Sequence, residues 1–198
     1  EPPWPRSIYA QAIDNLTEAG ARVVCLDIFF PHLTSPEEDN ALVEAARRAG
    51  NVYFPVFCPI ALKTFSSGPA RPVSSMRRNF PALREAAAGV GHINIPPGPD
   101  GKCRSIPLAL QFQDRNYLAL GLEAALAFRQ QKAMETGSRK RLQPTRIESF
   151  PLTPKGNFLV NYHGQMVTFD FYSFQSLLKD DVAAGSFKDK LVIIGQTS

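Results

Sequence analysis

The chain has 198 residues, of which 44% are hydrophobic and 20% are charged, and its formal net charge is +4. This length suits one large domain or two small ones with a hydrophobic core, and so modest a basic excess does not indicate a nucleic-acid-binding protein, which would concentrate its Lys and Arg. The sequence contains no run of about 18 apolar residues, so we expect no part of it to span a bilayer.

The first quarter of the chain has the pattern helix, strand, helix, strand. Apolar spacing predicts a helix over residues 6–19, and residues 23–30, seven of eight apolar, are typical of a strand buried on both faces of a parallel sheet. Ser35, followed by Pro36 and by Glu38 three residues on, predicts a helix start, and Gly50 predicts its end. A second apolar strand is expected over residues 51–57.

The middle of the chain is interrupted by a long segment, residues 58–79, that is rich in Pro, Ser and Gly. A loop of this length in a compact domain is usually functional or mobile, so it is a candidate lid. A short helix over 80–88 and a strand over 92–95 follow. The Asp100-Gly101 turn is expected to join that strand to an antiparallel partner over 102–112.

The remaining elements are a helix over 117–128, a basic solvated excursion over 129–146, strands over 157–162 and 166–169, and a short helix over 173–178. Residues 191–195 form a fully apolar strand that we expect to lie beside residues 23–30. The predicted fold class is α/β: a single mixed sheet with parallel central strands, helices on both faces, and an antiparallel hairpin region.

Catalytic motifs are absent from the sequence: there is no nucleophile elbow, no P-loop and no His-Glu-x-x-His. The three histidines lack ligand spacing, and the three cysteines (Cys25, Cys58 and Cys103) include no C-x-x-C pair. We therefore predict no catalytic residue, no metal site and no cofactor. Cys25 is expected to act as a small hydrophobic residue, and a Cys58–Cys103 disulfide is a minority alternative.

Asp27 is the first candidate for ligand binding, because it lies toward the carboxyl end of a predicted parallel strand, where α/β sheets bind ligands. Asp39 in the next helix could form a carboxylate pair with it. The structural alternatives are that Asp27 is a buried acid capping amides of the following loop, and that Asp39 is a solvated acid near a helix N-terminus.

Asp100 and Arg104 are the second candidate pair. The intervening turn allows the Arg104 guanidinium to return to Asp100 as a structural contact, or leaves it directed at an anion. The basic cluster over residues 132–141 fits either a solvated surface, which we favour, or contact with anionic lipid.

Four segments give the chain a resemblance to a known family. They are the helix start around Arg6 and Tyr9, the strand 23–30 with Asp39 beyond it, the Gly91-His92-Ile93-Asn94 run with Asp100-Gly101 and Arg104, and residues 187–195. In this order they resemble the type-two CHASE family, the extracytoplasmic sensory domains of bacterial adenylyl cyclases, histidine kinases and Ser/Thr kinases. The resemblance covers nearly the whole chain.

The resemblance implies a single sensory domain over residues 1–198, outside the cytoplasmic membrane, in a membrane-anchored parent protein that continues past residue 198. It implies an unidentified small-molecule or protein ligand, no enzymatic activity, no nucleic-acid partner and a candidate homodimer. The candidate ligand-binding residues are Asp27, Asp39, His92, Asn94, Asp100 and Arg104. Two alternatives remain: a metal-dependent phosphatase-like hydrolase using Asp27 and Asp39, and a pure dimerisation module.

Overall fold

A computed structural model describes residues 4–59, 70–98, 100–135, 152–153, 157–164, 168–179 and 181–195. Within these residues, the helices are α1 (Arg6–Glu18), α2 (Pro36–Ala49), α3 (Pro81–Ala86), α4 (Leu120–Glu135) and α5 (Phe174–Leu178). The strands are β1 (Val23–Asp27), β2 (Val52–Val56), β3 (Ala70–Pro72), β4 (Gly89–His92), β5 (Ser105–Pro107), β6 (Ala109–Phe112), β7 (Arg115–Leu118), β8 (Asn157–Leu159) and β9 (Leu191–Gly195).

The chain folds into two compact units. The first contains Glu1–Pro55, Arg78–Val90 and Gly164–Ser198, and the second contains Val56–Arg77 and Gly91–His163. The chain therefore leaves the first unit and returns to it twice.

A four-stranded sheet with the order β4-β2-β1-β9 runs through the first unit. Strand β1 is parallel to β2 on one side and parallel to β9 on the other, where Val23 lies opposite Leu191 and Asp27 lies opposite Gly195. The prediction that the two apolar segments are neighbouring strands is confirmed, and so is the α/β class with parallel central strands.

The core of the first unit lies between this sheet and helices α1, α2, α3 and α5. One face of the sheet contributes Val24, Leu26, Val52, Phe54 and Ile194 to it, together with Ile13 and Leu16 of α1 and Leu42 of α2. Alternate strand residues point to the same face, so the even-numbered residues of β1 and β9 face these helices. The four described helices of this unit share that core.

The second helix begins and ends where the sequence predicts. The side chain of Ser35 accepts a hydrogen bond from the amide of Glu38 (3.3 Å), Pro36 is the first helical residue, and Gly50 closes the helix with a φ of 64°. A positive φ is open to glycine at little cost, which explains why the helix ends at Gly50.

Removing this N-cap gives a local stability test. We expect Ser35→Ala to lower the free energy of unfolding by about 1 kcal/mol, because the amide of Glu38 loses its acceptor. Urea unfolding followed by circular dichroism measures the change. Ser75→Ala, at an exposed serine outside any cap, is the control and should change stability by less than about 0.5 kcal/mol. Equal effects of the two substitutions would contradict the assignment of the cap.

The second unit contains two small sheets. In one, β6 lies between β3, to which it is parallel, and β7, to which it is antiparallel; in the other, β5 pairs antiparallel with β8. Helix α4 follows β7. These antiparallel pairs confirm the prediction of an antiparallel region in the chain.

Several boundaries differ from the prediction. The Asp100-Gly101 turn does not join two paired strands: β4 neighbours β2, and the predicted strand 102–112 is divided into β5 and β6, whose antiparallel partners are β8 and β7. Pairing with two different strands interrupts the ladder at Leu108. Residues 117–118 extend β7 rather than starting a helix, and α4 continues to Glu135, into the predicted excursion.

Three further predictions lie partly outside the described residues. The segment 58–79 contains a strand, β3, that its composition did not indicate, and its residues 60–69 lie outside the described part. In the predicted strand 166–169, the described residues 168 and 169 are not extended. Most of the basic cluster 132–141 lies outside the described residues.

Candidate functional site

Asp27 is the last residue of β1 and lies at the carboxyl edge of the parallel sheet. It is exposed, and its partner in the register on β9 is Gly195, which has no side chain to cover it. Among the described residues its carboxylate has no hydrogen-bond or ion-pair partner. The protein around the carboxyl group displaces enough water to raise its pKa above the usual value. Asp27 is thus not an acid that caps the following loop.

The strand order reverses at the same place. From β1 the chain passes through α2 to β2 on one side, while the last strand, β9, lies on the other side of β1. Open α/β sheets bind ligands beyond the carboxyl ends of their parallel strands, so this edge is the candidate binding region. The carboxyl ends of β1 and β9 lie side by side as predicted, with Asp27 at this edge.

Asp39 has a different environment, in the first turn of α2. Its side chain and that of Arg6 are each less than one-tenth exposed and form an ion pair. The amide and hydroxyl of Thr34 also donate to the Asp39 carboxylate, the hydroxyl at 2.8 Å. Burial alone would raise the pKa of Asp39, but the hydrogen bonds from Thr34 and the Arg6 guanidinium outweigh it and lower the pKa. Asp39 is therefore not a solvated helix acid.

Arg6 connects this carboxylate to its surroundings. A second guanidinium nitrogen donates to the carbonyl of His32, and the guanidinium carbon lies 4.8 Å from the ring centroid of Phe80 and 5.6 Å from that of Phe30. This arrangement combines a charge-assisted hydrogen bond with cation–π contacts. The sequence did contain a sign that Arg6 is buried. It lies three residues before the buried Tyr9 and seven before the buried Ile13, on the core-facing stripe of α1.

A second link joins the beginnings of α1 and α2. The Glu38 carboxylate accepts hydrogen bonds from the amide of Ser7 (2.7 Å) and from its hydroxyl (2.9 Å). These two bonds, the amide first, lower the pKa of Glu38. The N-terminal turns of the two helices are thus held together by four side chains: Arg6, Ser7, Glu38 and Asp39.

In the second unit, His92 and Asn94 lie in the interior, with 2% and 5% of their surfaces exposed. The Asn94 side chain accepts a hydrogen bond from the amide of Cys58 (3.0 Å) and donates one to the Cys58 carbonyl. The side chain thus makes the two hydrogen bonds that the backbone of a neighbouring strand would make. The amide of Asn94 donates to Nδ1 of His92 at 3.3 Å. The two residues are brought together, and their polar groups face the protein.

Asp100 and Arg104 are also brought together. Their side chains form two parallel hydrogen bonds of 2.9 and 2.8 Å, and the amide of Lys102 donates to the same carboxylate at 3.2 Å. The bonds from Arg104 are the main cause of the lowered pKa of Asp100. The guanidinium thus contacts the turn acid, as in the structural alternative.

An open groove of about 640 Å³ runs between the outer faces of α1 and α2. Its floor contains Ala10 and Ala41, and the Asp14–Arg48 ion pair (2.8 Å) crosses it. Its volume falls within the range of small-molecule sites, and most of the residues that line it have polar or charged side chains.

The remaining candidate groups are metal ligands and thiols. The described residues contain no group of three or more His, Cys, Asp or Glu side chains placed to hold a metal ion. None of Cys25, Cys58 and Cys103 is in a disulfide, so the alternative of a Cys58–Cys103 bridge is not formed. Cys25 is 1% exposed, and burial, with the nearby Asp27 charge, raises the pKa of its thiol to about 12. Cys25 is a small hydrophobic residue, as predicted.

Comparison with known proteins gives one match. The CHASE2 domain family matches residues 1–198, the whole chain, whereas neither curated proteins nor solved structures give a significant match. CHASE2 domains are extracytoplasmic sensory domains usually found in signalling receptors. Across the described residues, no helix is both long and apolar enough to cross a membrane. Because the family match covers the whole chain, as the resemblance of the four segments predicted, this chain belongs to the CHASE2 domain family.

Proposed function

We propose that this chain is the extracytoplasmic sensory input domain of a bacterial transmembrane signalling receptor whose output module is a cyclase, a histidine kinase or a Ser/Thr kinase. A small ligand or protein binds the domain, and flanking transmembrane helices carry the signal. Such a ligand acts by binding one of two arrangements of the domain more tightly than the other.

The observation that carries the proposed site is the unpartnered carboxylate of Asp27 at the reversal of strand order. Asp39 and Asp100 already contact Arg6 and Arg104, so their charges are compensated within the protein. Asp27 has no such contact among the described residues, and partial burial of its carboxyl group raises its pKa. A ligand that donates a hydrogen bond to this carboxylate would make the charge-assisted contact that the described residues do not make.

The hydrolase alternative has less support from this geometry. A shared divalent metal would need free oxygens on both Asp27 and Asp39, whereas both oxygens of Asp39 accept hydrogen bonds from Thr34, and one also contacts Arg6. Replacing those contacts with metal bonds would leave the buried Arg6 charge without its partner, which is costly.

A ligand screen tests the site. We expect at least one compound of a defined library of amino acids, sugars, polyamines and nucleotides to raise the melting temperature of the domain. Asp27→Asn should weaken the binding of that compound about 10- to 100-fold, because a hydrogen bond to a charged group contributes about 1.5–3 kcal/mol. It should change the stability of the free domain by less than about 0.5 kcal/mol.

Asp100→Asn is the matched control, since it makes the same change at an exposed carboxylate that contacts Arg104. It should leave ligand affinity unchanged. Equal affinity of the parent domain and Asp27→Asn for every hit would place the site elsewhere, and a screen without any hit would argue against a small-molecule ligand.

A further inference from the structure

Strand β9 forms one edge of the four-stranded sheet. All five of its residues are uncharged, and its central residue, Ile193, is 61% exposed. Proteins usually protect a sheet edge with lysine, proline, a bulge or a covering segment, because an open edge pairs with other strands. Among the described residues, no strand pairs with this edge of β9 and none of its five residues is lysine or proline, so its outward backbone groups are open to pairing.

The backbone of β9 shows which groups that partner would meet. The amide of Val24 points to β2, where it donates to the carbonyl of Asn51 (3.1 Å), and the amide of Val23 points to β9, where it donates to the carbonyl of Lys190 (3.4 Å). Directions alternate along a strand, so the β9 residues bonded to β1 are the even-numbered ones. Amide and carbonyl groups of Leu191, Ile193 and Gly195 therefore point away from β1, to the open edge.

We propose that β9 pairs antiparallel with β9 of a second copy of this chain, about a two-fold axis at Ile193, and that the two sheets become continuous. In this register Ile193 lies opposite Ile193 of the second copy, and Leu191 lies opposite its Gly195. All three outward-pointing residues then form hydrogen-bonded pairs, in which each amide meets a carbonyl. A two-fold axis uses the same edge twice, so no other protein is needed.

The side chains permit the same register. None of the five residues is charged, so no like charges meet across the axis. The exposed side chains of the two Ile193 residues become neighbours and cover each other. Glycine at 195 leaves room for Leu191 of the second copy. The inference rests on the sheet edge and holds whether or not Asp27 contacts a ligand.

Proline substitution tests the pairing. Ile193→Pro removes one outward amide and leaves the bonds between β9 and β1, because proline is tolerated on an edge strand where its missing amide would face solvent. By sedimentation velocity we expect a dimer for the parent domain, and for Ile193→Pro a dissociation constant at least about 30-fold higher. Ile193→Thr keeps the amide and is the control that should retain the dimer. A parent domain that stays monomeric up to about 100 µM would overturn the proposal.

Two single-cysteine variants test the register of the pairing. They remain informative if Ile193→Pro fails to fold. In a hydrogen-bonded antiparallel pair the Cα atoms are about 5.5 Å apart, within disulfide range. In a Cys103→Ser background, Ile193→Cys should cross-link to a covalent dimer on mild oxidation. Leu191→Cys should not, because Leu191 lies opposite Gly195. Equal cross-linking of the two variants, or none in either, would contradict the two-fold pairing at Ile193.

Discussion

Replacing Arg6 with methionine should lower the free energy of unfolding by about 3 kcal/mol, the largest single effect that we expect in the first unit. Methionine keeps much of the volume between Phe30 and Phe80 but removes the positive charge. The buried Asp39 carboxylate then loses its counter-charge, and the carbonyl of His32 loses a donor. We expect the lower end of the range for a broken buried ion pair, because Thr34 still donates to Asp39.

The exposed Asp14–Arg48 pair is a matched control on the same two helices. Its side chains are 39% and 59% exposed, so Arg48→Met should cost less than about 1 kcal/mol. Chemical denaturation of both variants measures the difference directly. Similar losses at Arg6 and Arg48 would show that the Arg6–Asp39 pair is as well solvated as a surface pair.

A double-mutant cycle separates the pair from the volume of its members. Arg6→Met and Asp39→Asn, singly and together, should show a coupling free energy of about 1–3 kcal/mol, because the double variant leaves no unpaired charge. Additive effects of the two substitutions would assign the loss from Arg6→Met to its contacts with Phe30 and Phe80 instead.

The features of the fold that depend on a few neighbouring residues were the most predictable from the sequence. Helix α2 follows from Ser35, Pro36 and Gly50, because capping and the left-handed end depend on a few neighbouring residues. The pairing of β1 with β9 was also predictable, although more than 160 residues separate the strands, because two wholly apolar segments in an α/β chain have few other places to be buried.

The contacts made by polar side chains were less predictable. From the sequence we predicted that Asp39 is a ligand residue or a solvated acid. In the structure it forms a buried ion pair with Arg6, at the start of the preceding helix. Asn94 likewise bonds to the backbone of Cys58, 36 residues away. Such partners are brought together by tertiary packing, which hydrophobic periodicity does not encode. The division of residues 102–112 into two strands has the same origin, since it depends on which strand pairs with each half.

The acid stability of the second unit should depend on His92. Burial lowers the pKa of this histidine from 6.5 to about 4, and backbone groups of Pro107 and Leu108 oppose the shift only in part. Nδ1 accepts a hydrogen bond from the amide of Asn94, so the neutral ring carries its proton on Nε2. Protonation would place a charge on a side chain that is 2% exposed.

The sign of the effect follows from proton binding. Between pH 6.5 and about 4 the unfolded chain binds a proton at His92 and the folded chain does not, so stability decreases as the pH falls through this window. With about 1.4 kcal/mol for each pKa unit, the loss approaches about 3 kcal/mol near pH 4. The carboxylates of Asp39 and Asp100, whose pKa values are lowered, lose their contributions at more acidic pH.

Urea unfolding at a series of pH values measures this slope. His92→Asn retains an acceptor for the amide of Asn94 but cannot titrate, so stability should fall less steeply between pH 6.5 and 4 in this variant than in the parent. His163→Asn, at an exposed histidine, controls for the loss of a histidine as such. An NMR titration of the His92 ring reports its pKa without any substitution. A midpoint near 6.5 there would mean that the ring is hydrated and that the interior around Asn94 and Cys58 is open to water.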